Sequence, residues 1–181
     1  GKYGNTNGSA MRISPVGIIH GLRGSSCEEM VKDVYLTCLP THNTTVCVST
    51  AAAIAWGIAV CIQGETDMDT IIAETMKAAD IGAKYGNPIV SPSISKRIEF
   101  IYGIVKNSED RKETMKEIYD YFGGGDLAAE SVPVSIGLFA LGKGNPKDVN
   151  EICVNFGGDC DTNAAMAGAM AGAMMGVDAV P

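Results

Sequence analysis

Asp159-Cys160-Asp161-Thr162 sets two carboxylates two positions apart and a hydroxyl one residue further on, directly after Gly157-Gly158. At the start of a helix, this spacing offers several hard oxygen ligands to a cation such as Mg2+, and the glycines let the backbone turn sharply in front of them. From Ala164 to Gly176 the chain is almost entirely Ala, Gly and Met, so backbones are expected to pack closely around the acids. The competing reading is that Asp161 or Thr162 caps the helix. The chain contains its own control in Asp67-Met68-Asp69-Thr70. There Thr66 and Asp69 have the spacing of a capping box, and the bulky Ile71 and Ile72 follow, so that copy is read as a cap. Asp159, Asp161 and Asn163 also match the first, third and fifth positions of an EF-hand loop, but Ala164 and Met170 at its sixth and twelfth positions exclude that site. Cys160 has no companion Cys or His spaced to make it a soft-metal ligand or a nucleophile.

Three further segments carry polar chemistry. Asn7-Gly8-Ser9-Ala10-Met11-Arg12 combines a glycine, a hydroxyl and a short approach to a helix, which can present backbone N–H groups to a phosphate. A capped turn uses the same residues, and no Gly-Lys-Ser/Thr follows to make a Walker loop. Arg12 is expected to hold the site acids or the ligand. His42 lies at a helix start between Thr41 and Asn43; a solitary histidine there is ordinarily a partly buried structural residue, and His20 is read that way. Gly123-Gly124-Gly125-Asp126 reads as an interhelical turn, with Glu130 near the start of the next helix, where an acid caps well.

The elements that must hold these residues are helical. Helical periodicity runs near 14–22, 26–38, 43–63, 67–85, 94–106, 109–122, 130–142, 146–155 and 162–176, and alternating strand patterns are almost missing. Pro40, Gly64, Gly86-Asn87-Pro88, Asn107-Ser108, the triple glycine and Gly144-Asn145-Pro146 separate these stretches, with Ser108 and Asn145 as N-caps and Pro146 at the first helical position. The expected fold is all-α, a compact orthogonal multi-helix bundle. Val46 to Ile62 is apolar apart from Ser49 and Thr50; 17 residues at about 1.5 Å each fall short of a bilayer core, so it is expected as the central buried helix and no membrane as a partner. Gly168, Gly172 and Gly176 form a small-residue ladder suited to close packing inside the bundle. The 181 residues suffice for one core, and a net charge of -7 excludes nucleic acid as the main partner. Six cysteines without a C-x-x-C pair read as buried thiols of a reducing, cytoplasmic environment.

Phe156 to Ala165, with Ala167-Gly168-Ala169 and Ala171-Gly172-Ala173, resembles the closing signature of the ADP-ribosylglycohydrolase family. In the same order, Asn7 to Arg12 with Pro15 resembles its Gly-Asn-Gly-Ser/Ala-Met-Arg loop, Thr41-His42-Asn43 its Thr-His motif, and Gly123-Gly124-Gly125 through Glu130-Ser131-Val132-Pro133 its Gly-rich turn and Glu-Ser-Val-Pro helix. Thr6 stands where many members have Gly. The resemblance implies a hydrolase that cleaves the glycosidic bond between ADP-ribose and a modified side chain or small acceptor, with two Mg2+ ions as cofactor and ADP-ribose or an ADP-ribosylated protein as partner. It assigns Asp159, Asp161 and Thr162 to metal, and Gly8, Ser9, Met11, His42, Gly123, Gly124 and Gly125 to the substrate, with Gly8 and Ser9 at the pyrophosphate, His42 at a phosphate or the distal ribose, and the triple glycine over the adenosine side. It further implies an N-terminal portion bearing a Thr-Asp-Asp metal motif and the acidic general acid/base, so that residues 1–181 are expected to be the C-terminal larger part of one domain. The helices from Val46 and Asn163 are then expected to have neighbours in that portion. A non-catalytic ADP-ribose-binding relative and a hydrolase of another nucleoside or glycoside remain as alternatives.

Overall fold

The computed structural model describes residues 2–180, and every structural statement below concerns these. It is all-helical: α1 (Ser14–Arg23), α2 (Cys27–Cys38), α3 (Thr45–Ile62), α4 (Met68–Gly82), α5 (Ile94–Lys106), α6 (Arg111–Phe122), α7 (Ala128–Leu141), α8 (Pro146–Phe156) and α9 (Cys160–Met175), with 3-10 turns at Asn7–Ser9 and Val177–Ala179. Helix, 3-10 turns included, makes up 71% of the described residues.

α3 is the axis of the bundle. Every residue from Val46 to Cys61 is buried, and the helix touches α1, α2, α4, α7 and α9. It is the one described helix long and apolar enough to cross a bilayer, and 89% of it is buried inside the bundle. Its neighbours are drawn in by small residues: a methyl on Gly17 of α1 would stand 2.5 Å from the Ala55 carbonyl oxygen, and one on Gly21 2.9 Å from that of Ala59. α3 therefore finds its partners within this chain, where the sequence reading placed them in a preceding portion.

α7 is the second buried element, with Ser131 to Ala140 all inside. Pro133 lies within it and has no N–H to give the carbonyl of Ala129 one turn earlier. Arg97 of α5 supplies the missing donor, its Nη1 reaching Ala129 O at 2.8 Å, while the guanidinium lies 5.3 Å from the centre of the Phe122 ring.

Several helix starts differ from the sequence reading because competing caps lay close together. α4 is capped by Asp67, not by a box from Thr66; α6 is capped by Asp110, not Ser108. Asn145 caps α8 with Pro146 at its first position, as the pattern indicated. α9 begins at Cys160, so Asp161 and Thr162 lie inside its first turn and neither caps it. The glycine ladder is also corrected. A methyl on Gly168 would meet only the Asn150 side chain, and around Gly172 and Gly176 there is nothing within 4 Å. α9 packs inward through Asn163, Met166, Ala167, Met170 and Ala171 instead. Five of the six thiols are buried, and burial pushes those of Cys27, Cys61 and Cys153 up to about 12, which suits inert packing groups.

Candidate functional site

The 3-10 turn Asn7–Ser9 is held in place by its backbone. Asn7 N–H donates to Asp126 O at 2.9 Å, Ala128 N–H donates to Asn5 O at 2.8 Å, and Thr6 bridges Leu127 in antiparallel fashion. The loop thus lies against the segment that joins the triple glycine to α7. The N–H group of Gly8 heads the turn and has no backbone acceptor among the described residues, which leaves it able to receive an anion. The Ser9 hydroxyl has no such freedom: it is fully buried and donates to Cys47 O at 3.2 Å. Any ligand contact of Ser9 runs through its backbone. Met11, the third loop residue assigned to substrate, is half exposed beside the turn.

His42 packs against Gly8 so tightly that a methyl there would fall 2.8 Å from the imidazole Nε2. Both ring nitrogens are engaged, Nε2 with the Thr6 hydroxyl at 3.1 Å and Nδ1 with the Thr41 hydroxyl at 2.8 Å. Thr6, the residue that departs from the family pattern, therefore occupies the nitrogen nearest the loop. Burial and then the nearby Arg12 guanidinium hold the imidazole below its ordinary pKa, so the ring beneath the loop is neutral near pH 7. Arg12 does not reach the site acids. Its Nη2 donates to Thr41 Oγ1 at 2.6 Å and lies 3.5 Å from Thr37 O, steadying the hydroxyl that orients His42. His20 pairs with Asp33 at 3.0 Å, away from this cluster.

The triple glycine meets the acids through the backbone. Gly124 O accepts the Asp159 N–H at 2.6 Å. Gly158 has a left-handed φ of +66 degrees, and a methyl on it would collide with the Gly124 backbone, so the two turns approach as only glycines permit. Glu130 is not a cap of α7. Its Oε1 accepts the Gly125 N–H at 2.9 Å and fills the space beside Gly123, clasping the turn from the first turn of the following helix.

Asp159 stands at the junction. Its Oδ2 accepts from Asn7 Nδ2 at 2.6 Å and its Oδ1 from Thr162 Oγ1 at 2.8 Å; although it is the N-cap residue, it takes no backbone N–H of α9. Asp161 is exposed and Thr162 partly so. Beneath them runs a buried chain of polar groups: Asn7 Nδ2 also donates to Ser131 Oγ at 2.9 Å, and the hydroxyls of Ser131 and Ser135 both donate to Asn163 Oδ1, at 2.8 and 2.9 Å. Asn163 Nδ2 is buried without a partner among the described residues, a cost of about 1 to 3 kcal/mol.

The donors of Asp159, Asp161 and Thr162 match Mg2+ in kind. Each Asp159 oxygen has accepted one hydrogen bond and keeps a lone pair, and Thr162 has donated its proton and keeps its oxygen lone pairs. They fall short in number: no group of three or more His, Cys, Asp or Glu residues gathers among the described residues, whereas Mg2+ takes about six oxygens.

All four sequence segments are joined by direct contacts: Gly8 and Thr6 to His42, Asn7 to Asp159, and Gly124 to Asp159. The residues that fasten them, Asn7, Ser131, Asn163 and Glu130, were not among those singled out for binding. Their signal was weak because their partners lie up to 152 positions away.

Comparison with known proteins adds a second line. A family model described as ADP-ribosylglycohydrolase matches residues 1–181. An uncharacterized Escherichia coli protein, YegU, is 35% identical over 177 residues, which cover 98% of this chain and 52% of that protein. The human ADP-ribosylhydrolase ARH3 is 27% identical over 205 residues, covering all of this chain and 52% of the relative. An uncharacterized Archaeoglobus fulgidus protein is 22% identical over 180 residues, 96% of this chain and 50% of its own. The chain thus spans about half the length of the curated relatives it matches.

Proposed function

Since this chain belongs to the ADP-ribosylglycohydrolase family, we propose that it supplies the ADP-ribose cradle and part of the Mg2+ site of a hydrolase that cleaves the glycosidic bond at the anomeric carbon of ADP-ribose. The observation that supports this reading is the convergence of four separate polar segments on one cluster around Asn7 and Asp159. In this arrangement the free N–H group of Gly8, with the Ser9 backbone beside it, receives the pyrophosphate. His42, neutral and fixed by two hydroxyls, shores up Gly8 from behind rather than offering a charge. The turn at Gly123 to Gly125, clasped by Glu130, closes over the adenosine side.

Asp159, Asp161 and Thr162 would hold the metal. When bound, Mg2+ fixes ribose hydroxyls and polarises water as positive charge develops at the anomeric carbon. The chain's own acids keep that end of the cleft negative, and its three oxygens make it a weak Mg2+ binder by itself.

The test is release of free ADP-ribose from ADP-ribosyl-serine and ADP-ribosyl-arginine, alongside simple nucleosides, with Mg2+ and with a chelator. Mg2+-dependent release from either ADP-ribosyl compound supports the reading. Cleavage of nucleosides alone assigns the site to another glycoside. Tight ADP-ribose binding without turnover, in the complete natural protein, makes it a binding module.

A further inference from the structure

The buried amide and hydroxyl groups beneath Asp159 form a chain whose upper link has one direction. The Ser131 hydroxyl lies 2.8 Å from Asn163 Oδ1, and the Ser135 hydroxyl, with a single proton, lies 2.9 Å from both Asn163 Oδ1 and the Ser131 carbonyl oxygen. Ser131 Oγ in turn accepts from Asn7 Nδ2 at 2.9 Å. The other hydrogen of that nitrogen points at Asp159 Oδ2, 2.6 Å away. Reversing every bond would set the Asn7 amide oxygen against the Asp159 carboxylate, two acceptors face to face. The Asn7 amide cannot turn over while Asp159 is a carboxylate.

We infer that Asn7, oriented from below by Ser131 and Asn163, is a positioning residue that presets the Asp159 carboxylate for metal. This rests on the proposed assignment of Asp159 to Mg2+. The geometry has three consequences. The carboxylate is fixed at one oxygen by Asn7 and at the other by Thr162, so its plane is set before a cation arrives. Asn7 is itself anchored by its backbone to Asp126 at 2.9 Å, so the donor does not drift. Asn7, Ser131 and Asn163 are all at most 5% exposed, so they act on a ligand through Asp159. Outer partners that orient a ligating carboxylate typically carry roughly ten- to a hundredfold of metal affinity.

The experiment is calorimetric titration of the complete natural protein with Mg2+, carried to saturation of the wild type, for wild type, Asn7→Leu and Ser131→Ala, with metal-free melting recorded by circular dichroism. Asn7→Leu keeps the volume and removes both donors; Ser131→Ala frees the Asn7 amide to turn. The expected result is Mg2+ binding weakened about tenfold or more in Asn7→Leu and by a smaller factor in Ser131→Ala, while Asp67→Ala, at the other acidic segment, titrates as wild type. Asn7→Leu and Ser131→Ala both folded and both within about twofold of wild type would overturn the positioning role and leave the metal assignment standing. A complete wild-type protein that takes up no Mg2+ overturns both. If Asn7→Leu fails to fold, Ser131→Ala alone decides by the same criterion.

Discussion

Asp67-Met68-Asp69-Thr70 and Asp159-Cys160-Asp161-Thr162 share a pattern and a position, each opening a helix, yet the chain uses them differently. Asp67 turns one oxygen back onto its own helix, taking the Thr70 N–H at 2.9 Å and the Thr70 hydroxyl at 2.7 Å. Asp69 is tied off by Lys106 and Tyr102, at 2.9 and 2.8 Å. Asp159 keeps the equivalent bond from the Thr162 hydroxyl but gives up the backbone N–H, its ψ being 55 degrees where that of Asp67 is 117. Asn7 takes its other oxygen, and Asp161 carries no cation partner. The difference lies outside the tetrapeptide: Gly157 and Gly158, at φ of +86 and +66 degrees, swing Asp159 out of capping geometry and against Gly124. A short acidic motif acquires its role from the turn in front of it.

The contrast is broken most directly by deleting the acids. Asp159→Ala should abolish any Mg2+-induced rise in melting temperature, and Asp67→Ala should leave that rise intact; equal shifts in both variants would erase the distinction. Next in size is Gly158→Ala, which forces a left-handed residue to carry a methyl into the Gly124 backbone. It should lose about 2 kcal/mol or more in a denaturant titration, whereas Gly64→Ala, before the capped copy, has open space around it and should pay only for its positive φ. Asp67→Ala should then cost about 1 kcal/mol as a lost cap, with Thr66→Ala near zero; a larger loss at Thr66 would restore the capping box.

The smallest effect concerns pH. The folded pKa of His42 lies below its unfolded value because of burial and Arg12, so its contribution to stability is complete above about pH 6.5 and declines as the pH falls and the unfolded chain takes up the proton first. Melting temperatures of wild type and His42→Gln between pH 7 and 5 should converge on acidification. Parallel curves would show that the ring titrates freely.

The helices were legible because a 3.6-residue apolar period and Gly, Pro and Asn punctuation mark them directly, and the buried α3 follows from its composition alone. Cap choice was less so: Thr66 and Asp67, or Ser108 and Asp110, are chemically equivalent candidates, and the backbone angle decides between them. In the site, Asp159 and Gly124 stand out by type, but Ser9 reads as a ligand donor until its hydroxyl is seen turned to Cys47. The ladder of Gly168, Gly172 and Gly176 misled for a related reason, since small residues permit close approach without compelling it, and what lies opposite is a matter of tertiary structure.

Arg97 and Pro133 have a consequence for the order of folding. An ordinary helix completes its first turns from its own donors, on the timescale of local chain motion. α7 cannot do so, because the Ala129 carbonyl waits for a guanidinium carried 32 residues earlier in the chain. Leu127 O takes the N–H groups of Glu130 and Ser131 at 2.9 Å, so the turn that bears them closes locally, while its Ala129 carbonyl is satisfied only when α5 has docked. In native-state hydrogen exchange, Arg97→Met should speed exchange of the Gly125 amide, which Glu130 protects, ahead of amides in the middle of α3; unchanged Gly125 protection would separate the proline from the site.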